Sequence, residues 1–143
     1  MNILVPLELP EPDESVLNAV RCLAGVHEGH VYLLHAVRPE SPFTLHGLQS
    51  PGIDRELYDS YQREYTCLSR IAQELSGFAT EAVLVPGCPK EAIIHAVECF
   101  GIDLVVMGSH GHGRIHDLLL SSVTEDVMRH VGCPVMVVPS RRP

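Results

Sequence analysis

Five short apolar runs, each nearly continuous and rich in β-branched residues, constrain the fold of this chain more than any other feature. They are Ile3-Leu4-Val5, Val31-Tyr32-Leu33-Leu34-His35-Ala36-Val37, Ala82-Val83-Leu84-Val85, Asp103-Leu104-Val105-Val106-Met107 and Pro134-Val135-Met136-Val137-Val138. A strand with one wet face alternates apolar and polar residues, whereas a strand covered on both faces does not. The runs therefore predict strands of a parallel sheet buried between two layers.

What lies between the runs has the period of a helix. Val16, Leu17, Val20, Leu23 and Ala24 make one stripe, with Asp13 and Glu14 favouring the dipole of the first turn. Leu57, Tyr61, Leu68, Ile71, Ala72 and Leu75 make a longer one. Ala92, Ile93, Ala96, Val97 and Phe100 follow Pro89, a residue suited to a first turn, and Val123, Val127, Met128 and Val131 close the series. Parallel strands need crossovers, and helical ones of the usual right hand give an open sheet with helices on both faces. The expected fold is thus α/β, a single doubly wound five-stranded parallel sheet, with residues 1–143 as one domain. Residues 38–52, with three prolines, two glycines and two serines, read as a surface loop.

Composition removes several functions. Ten Lys+Arg against 18 Asp+Glu give a net charge of −8, and Lys90 is the only lysine. A nucleic-acid surface or a polybasic membrane anchor needs clustered positive charge that this chain lacks. Apolar stretches of about five residues fall far short of the roughly 20 that span a bilayer. The start of the chain lacks the basic and apolar regions of a signal peptide, so a cytoplasmic protein is expected. Five cysteines without a Cys-x-x-Cys pair read as reduced and mostly buried thiols.

In an open parallel sheet, ligands bind beyond the carboxyl ends of the strands where strand order reverses, here after strands one and four. The segment after strand four is the richest: Gly108-Ser109-His110-Gly111-His112-Gly113-Arg114-Ile115-His116-Asp117. Its three glycines permit close approach of the backbone to an anion. The helix start after it reads Ser121-Ser122-Val123-Thr124-Glu125, with Ser122 and Glu125 in capping-box spacing. A P-loop is excluded, because Lys90 stands in Pro89-Lys90-Glu91 and not in Gly-Lys-Ser/Thr. The dinucleotide fingerprint fails too, since Glu8, Leu9 and Pro10 follow strand one where glycines belong.

His110, His112 and His116 suggest a metal cluster by composition, but without carboxylate or cysteine support they read as a solvated loop. His35 reads as a strand-end residue with its hydrogen bonds satisfied, and Tyr58, Tyr61 and Tyr65 as a packing or partner face of helix two. Arg114 is the loop's only cation, so a bound triphosphate has to bring Mg2+ or Mn2+ with it. No nucleophile elbow or paired base is evident, so catalysis has little support.

Across nearly its whole length the sequence resembles the universal stress protein family. The resemblance rests on Ile3-Leu4-Val5-Pro6-Leu7-Glu8, on Val85-Pro86-Gly87-Cys88-Pro89, on Gly108 and Gly111 with nine residues before Ser121-Ser122, and on Cys133-Pro134-Val135-Met136-Val137-Val138. It implies a homodimer through the last strand (Val135, Met136, Val137, Val138). It also implies, for some members, binding of ATP or another adenine nucleotide. Carried over, the nucleotide-binding residues are Pro6, Leu7, Glu8, Val37, Met107, Gly108, Gly111, Gly113, Ser121, Ser122, Val123 and Thr124. A nucleotide-free dimeric interaction module is the alternative, and a slow ATPase using His110 or His112 is a less favoured one.

Two residues depart from the binders' pattern: Glu8 replaces an aspartate, and Ser121 replaces the third signature glycine. Serine at 121 is costly if that position needs a positive φ or close phosphate approach, and harmless if it is an N-cap.

Overall fold

The computed structural model describes residues 1–24, 28–37, 51–75, 77–109 and 120–139. The chain runs β1 (Asn2–Pro6), α1 (Glu14–Ala24), β2 (His30–Val37), α2 (Pro51–Glu74), β3 (Ala79–Pro86), α3 (Pro89–Cys99), β4 (Leu104–Gly108), α4 (Ser122–His130) and β5 (Val135–Val138). The five strands form one sheet in the order β3-β2-β1-β4-β5. Every pairing is parallel, as the continuous apolar runs predict.

Side-chain alternation along each strand sorts the core into two halves. Ile3 and Val5 of β1, Val31 and Leu33 of β2 and Val106 of β4 meet Val16, Leu17 and Val20 of α1 and Leu68 and Ile71 of α2. Leu4, Leu34, Val105 and Met107 point the other way, onto Ala92, Ile93, Ala96 and Val97 of α3 and Val127 of α4. Burying both faces drives the assembly and explains why the strands carry so few polar residues.

Local chemistry places the helix starts. Asp13 lies just before α1; its carboxylate accepts from the Ser15 N–H at 2.9 Å and its carbonyl from Leu17 at 3.2 Å. The turn into α3 uses Gly87 at φ 120°, a conformation natural to glycine, followed by Cys88 at the N-cap and then Pro89. The Gly87 N–H donates to the Val37 carbonyl at 2.9 Å, tying that turn to the end of β2.

Several expectations need correcting. Helix α2 begins at Pro51, so the last two residues of the expected 38–52 loop are helical; proline suits a first turn, where its missing N–H costs nothing. Residues 38–50 lie outside the described residues. Met128 stands 47% exposed, because α4 is short and only Val127 reaches full burial from that stripe. Tyr58 and Tyr65, expected on a packing or partner face, are exposed, so they do not pack within this chain. No cysteine is buried: Cys22, Cys88 and Cys99 are exposed, and Cys67 and Cys133 only partly covered. Their positions on outer helix surfaces and turns, rather than on strands, account for this.

Candidate functional site

Strand order makes β1 and β4 the divide at which the chain changes direction, since β2 and β3 lie to one side of β1 and β4 and β5 to the other. β1 and β4 pair at Ile3–Leu104 and Leu4–Val105, so Pro6 and Gly108 leave the sheet at the same edge. The loops expected to hold a ligand therefore do flank a topological switch point.

On the β4 side, a hydrogen-bonded junction fixes the start of α4 against the strand end. Ser121 is the N-cap, at φ −62° and ψ 153°, and its hydroxyl accepts from the Thr124 N–H at 3.1 Å. The expected cap, Ser122, is instead the first helical residue and is exposed. The capping pair is Ser121 with Thr124, one residue earlier than the Ser122–Glu125 box, because an extended backbone at 121 aims its side chain at the N3 amide. The ordinary negative φ at Ser121 also answers the question its sequence position raised: no left-handed backbone is needed there.

Thr124 is fully buried, and its hydroxyl donates to the Gly108 carbonyl at 3.2 Å while meeting the Ser121 hydroxyl at 2.8 Å. The Ser121 N–H donates to the Ser109 carbonyl at 3.0 Å, and the Ser109 N–H to the Val138 carbonyl at 2.9 Å. The junction thus links β4, α4 and the end of β5. Glu125 N–H is taken by the Ser121 carbonyl at 3.0 Å. Helix geometry leaves the Ser122 and Val123 N–H groups without an intrahelical acceptor, the usual anion-accepting pair of a helix start.

On the β1 side, Leu7 is anchored by its side chain and by its backbone. Its side chain is buried in the α1/α2 half of the core, its N–H donates to the Leu34 carbonyl at 2.8 Å, and its carbonyl lies 2.8 Å from His35 Nδ1. These contacts fix Leu7 at the end of β1. Glu8, next to it, is exposed. Val37 and Met107 are both buried. Val123 packs partly against the α3/α4 half of the core.

Gly111, Gly113, Arg114, His110, His112 and His116 lie outside the described residues. Lys90 pairs with Asp126 at 3.3 Å, joining α3 to α4.

Sequence reasoning understated His35. Its ring, between the Leu7 carbonyl and Glu64 of α2, is satisfied as expected, and its Nε2 lies 3.3 Å from Glu64 Oε2. A cleft of about 300 Å³ opens beside this contact, lined by Leu9, Pro10, Ser60, Arg63, Glu64 and Cys67. A lone glutamate on a long amphipathic helix offers no sequence signal for such a role.

Fold and site together define an open α/β protein with a side-chain-capped helix start at its switch point. The chain belongs to the universal stress protein family, whose pattern it matches over residues 1–139. It is 31% identical over 150 residues to universal stress protein MJ0577 of Methanocaldococcus jannaschii, across 95% of this chain and 93% of that one. The solved structure of MJ0577 superposes with a TM-score of 0.80 at 28% identity, covering 99% of this chain and 97% of the other. The same fold recurs in a universal stress protein in complex with cAMP, at TM-score 0.69 and 19% identity over 99% of this chain and 98% of that one. It recurs again in an Arabidopsis thaliana family protein with AMP bound, at TM-score 0.64 and 20% identity over 99% and 92% of the two chains. Among the described residues, no helix is long and apolar enough to cross a membrane.

Proposed function

We propose that this protein binds an adenine nucleotide at the β1/β4 switch point and serves a regulatory role in a cytoplasmic stress response. The observation that carries the reading is the Gly108–Ser121–Thr124 junction, which holds the start of α4 rigidly beside the carboxyl end of β4. Family members with cAMP and with AMP bound support the ligand class. The donor set fits a phosphate: the Ser122 and Val123 N–H groups supply neutral donors, and the helix dipole supplies partial positive charge. The adenosine end falls to Pro6, Leu7, Glu8, Val37 and Met107, with Gly111 and Gly113 completing the phosphate loop. A triphosphate brings Mg2+ or Mn2+ with it, since Lys90 is engaged with Asp126. Nucleotide occupancy rather than turnover is then the signal.

The reading includes a homodimer through β5. That strand lies at the sheet edge, with Met136 37% exposed and Met128 of the neighbouring α4 also exposed. An apolar edge of this kind pairs readily with a second copy. A dimer by light scattering at micromolar concentration is expected, and a monomer contradicts it. Should the protein bind no nucleotide, the same edge leaves the interaction-module reading in place.

The test of the nucleotide reading is titration calorimetry with ATP, ADP and AMP, together with analysis of small molecules released on denaturing freshly purified protein. Heat of binding or a released adenine nucleotide supports it. Absence of both removes it.

A further inference from the structure

The loop after β1 meets one face of α2 across the cleft of about 300 Å³. Ser60, Arg63, Glu64 and Cys67 line it from the helix, at spacings of three and four that share a face. Leu9 and Pro10 form the facing wall. That wall is held in place: Leu9 packs on the α1/α2 half of the core, and the Cys67 thiol lies 3.9 Å from the Pro10 carbonyl. Ligand pockets run from about 300 to about 1,000 Å³, so this one has room for a small molecule only.

Glu64 decides one half of the chemistry. Its Oε2 is wholly buried and has no hydrogen-bond partner among the described residues. His35 Nε2 is 3.3 Å away but supplies no donor. The ring's Nδ1 stands 2.8 Å from the Leu7 carbonyl, which only accepts, so the ring proton sits on Nδ1 and Nε2 presents a lone pair. A carboxylate oxygen buried without a donor is costly, and a ligand that brings one relieves that cost. The same side chain is 28% exposed and lines the cleft, so a donor there meets the carboxylate.

Arg63 decides the other half. It is exposed, and among the described residues no ion pair engages it, with Glu64 or with any other group. A guanidinium only donates, and its planar fork matches a carboxylate. Opposite charges on consecutive residues, not neutralising one another, suit a ligand whose own two charges lie close together.

We propose that this cleft binds a free α-amino acid with an aliphatic side chain. Its ammonium group meets Glu64, its carboxylate meets Arg63, and its side chain lies against Leu9 and Pro10. No described residue assigned to the nucleotide lines the cleft, so this second site stands whether or not the switch point holds a nucleotide.

The test is a titration of the full chain followed by backbone amide shifts, with three probes of one shape. L-leucine carries both charges, leucinamide lacks the carboxylate, and isocaproate lacks the ammonium group. Leucine is expected to give saturable shifts at Leu9, Ser60, Arg63, Glu64 and Cys67. It should bind about tenfold or more tightly than either analogue, and Glu64→Gln should weaken it by a similar factor. Arg63→Gln should bring leucine down to the level of leucinamide, a change that a merely structural role for Arg63 does not produce. Arg63 is exposed, so that variant keeps its fold and decides the matter even if Glu64→Gln does not fold. No saturable shift at about 10 mM leucine overturns the assignment. So does equal affinity for leucine and either analogue, unchanged binding in Arg63→Gln, or shifts centred on Gly108 and Ser122 instead of the cleft.

Discussion

The Thr124 hydroxyl donates to the Gly108 carbonyl across 3.2 Å, from a side chain with no exposure to solvent. This bond joins the first turn of α4 to the last residue of β4, and it sets the direction in which the helix start faces. Thr124 is the only fully buried polar side chain among the described residues. Buried hydroxyls are kept where their hydrogen bonds hold something in place.

Thr124→Val keeps the shape and removes the donor, leaving the half-buried Gly108 carbonyl without it. A loss of about 1–3 kcal/mol in stability is expected by urea denaturation, with weaker nucleotide binding. Thr124→Ser, which retains the hydroxyl, should recover most of both.

Ser121 tests the cap assignment. Ser121→Ala should cost about 1 kcal/mol and Ser121→Gly only a few tenths, since glycine is tolerated at an N-cap. Because Ser121 already has φ −62°, glycine relieves no backbone strain, and Ser121→Gly should leave nucleotide affinity within about twofold. A large gain in affinity in that variant would show that the serine side chain obstructs the phosphate.

Gly29 makes the start of the sheet possible. A Cβ there would fall on the Met1 carbonyl, the same oxygen that accepts the His30 N–H at 3.1 Å. Gly29→Ala should destabilise the protein by about 1–3 kcal/mol through forced separation of β1 and β2, measured as a lowered thermal midpoint.

Burial raises the pKa of Cys133 above the ordinary thiol value of 9.0; a backbone hydrogen bond opposes the shift and nearby Asp103 adds to it. At alkaline pH the folded state then holds a proton that the unfolded state has lost. The stabilisation this withholds grows as pH rises past the unfolded thiol value, so stability falls there. Cys133→Ser should flatten that alkaline decline in denaturation curves. At pH 8, alkylation of Cys133 should lag behind that of exposed Cys22, Cys88 and Cys99.

The strands were legible because burial on both faces leaves an unbroken apolar signature, and Val31 and Leu33 against Leu34 show how alternation then divides one run between two cores. The switch point followed from that order of elements. Exact helix starts were less legible: Ser121 and Ser122 offer the same hydroxyl, and only the backbone angle decides which one caps. The anchoring of Leu7 was not legible either: burial claims its side chain and the Leu34 carbonyl of the neighbouring strand claims its amide, and no motif marks either contact. The Glu64–His35 contact joins residues 29 positions apart (64 − 35) on different elements, a pairing that neither period nor motif encodes.

The most direct test of the nucleotide site is a backbone amide shift map during titration with AMP. Saturable changes are expected, centred on Gly108, Ser122, Val123 and Thr124, with a second group at Leu7 and Glu8. Saturable binding that leaves those amides unmoved, or no shift at all at millimolar AMP, would contradict it.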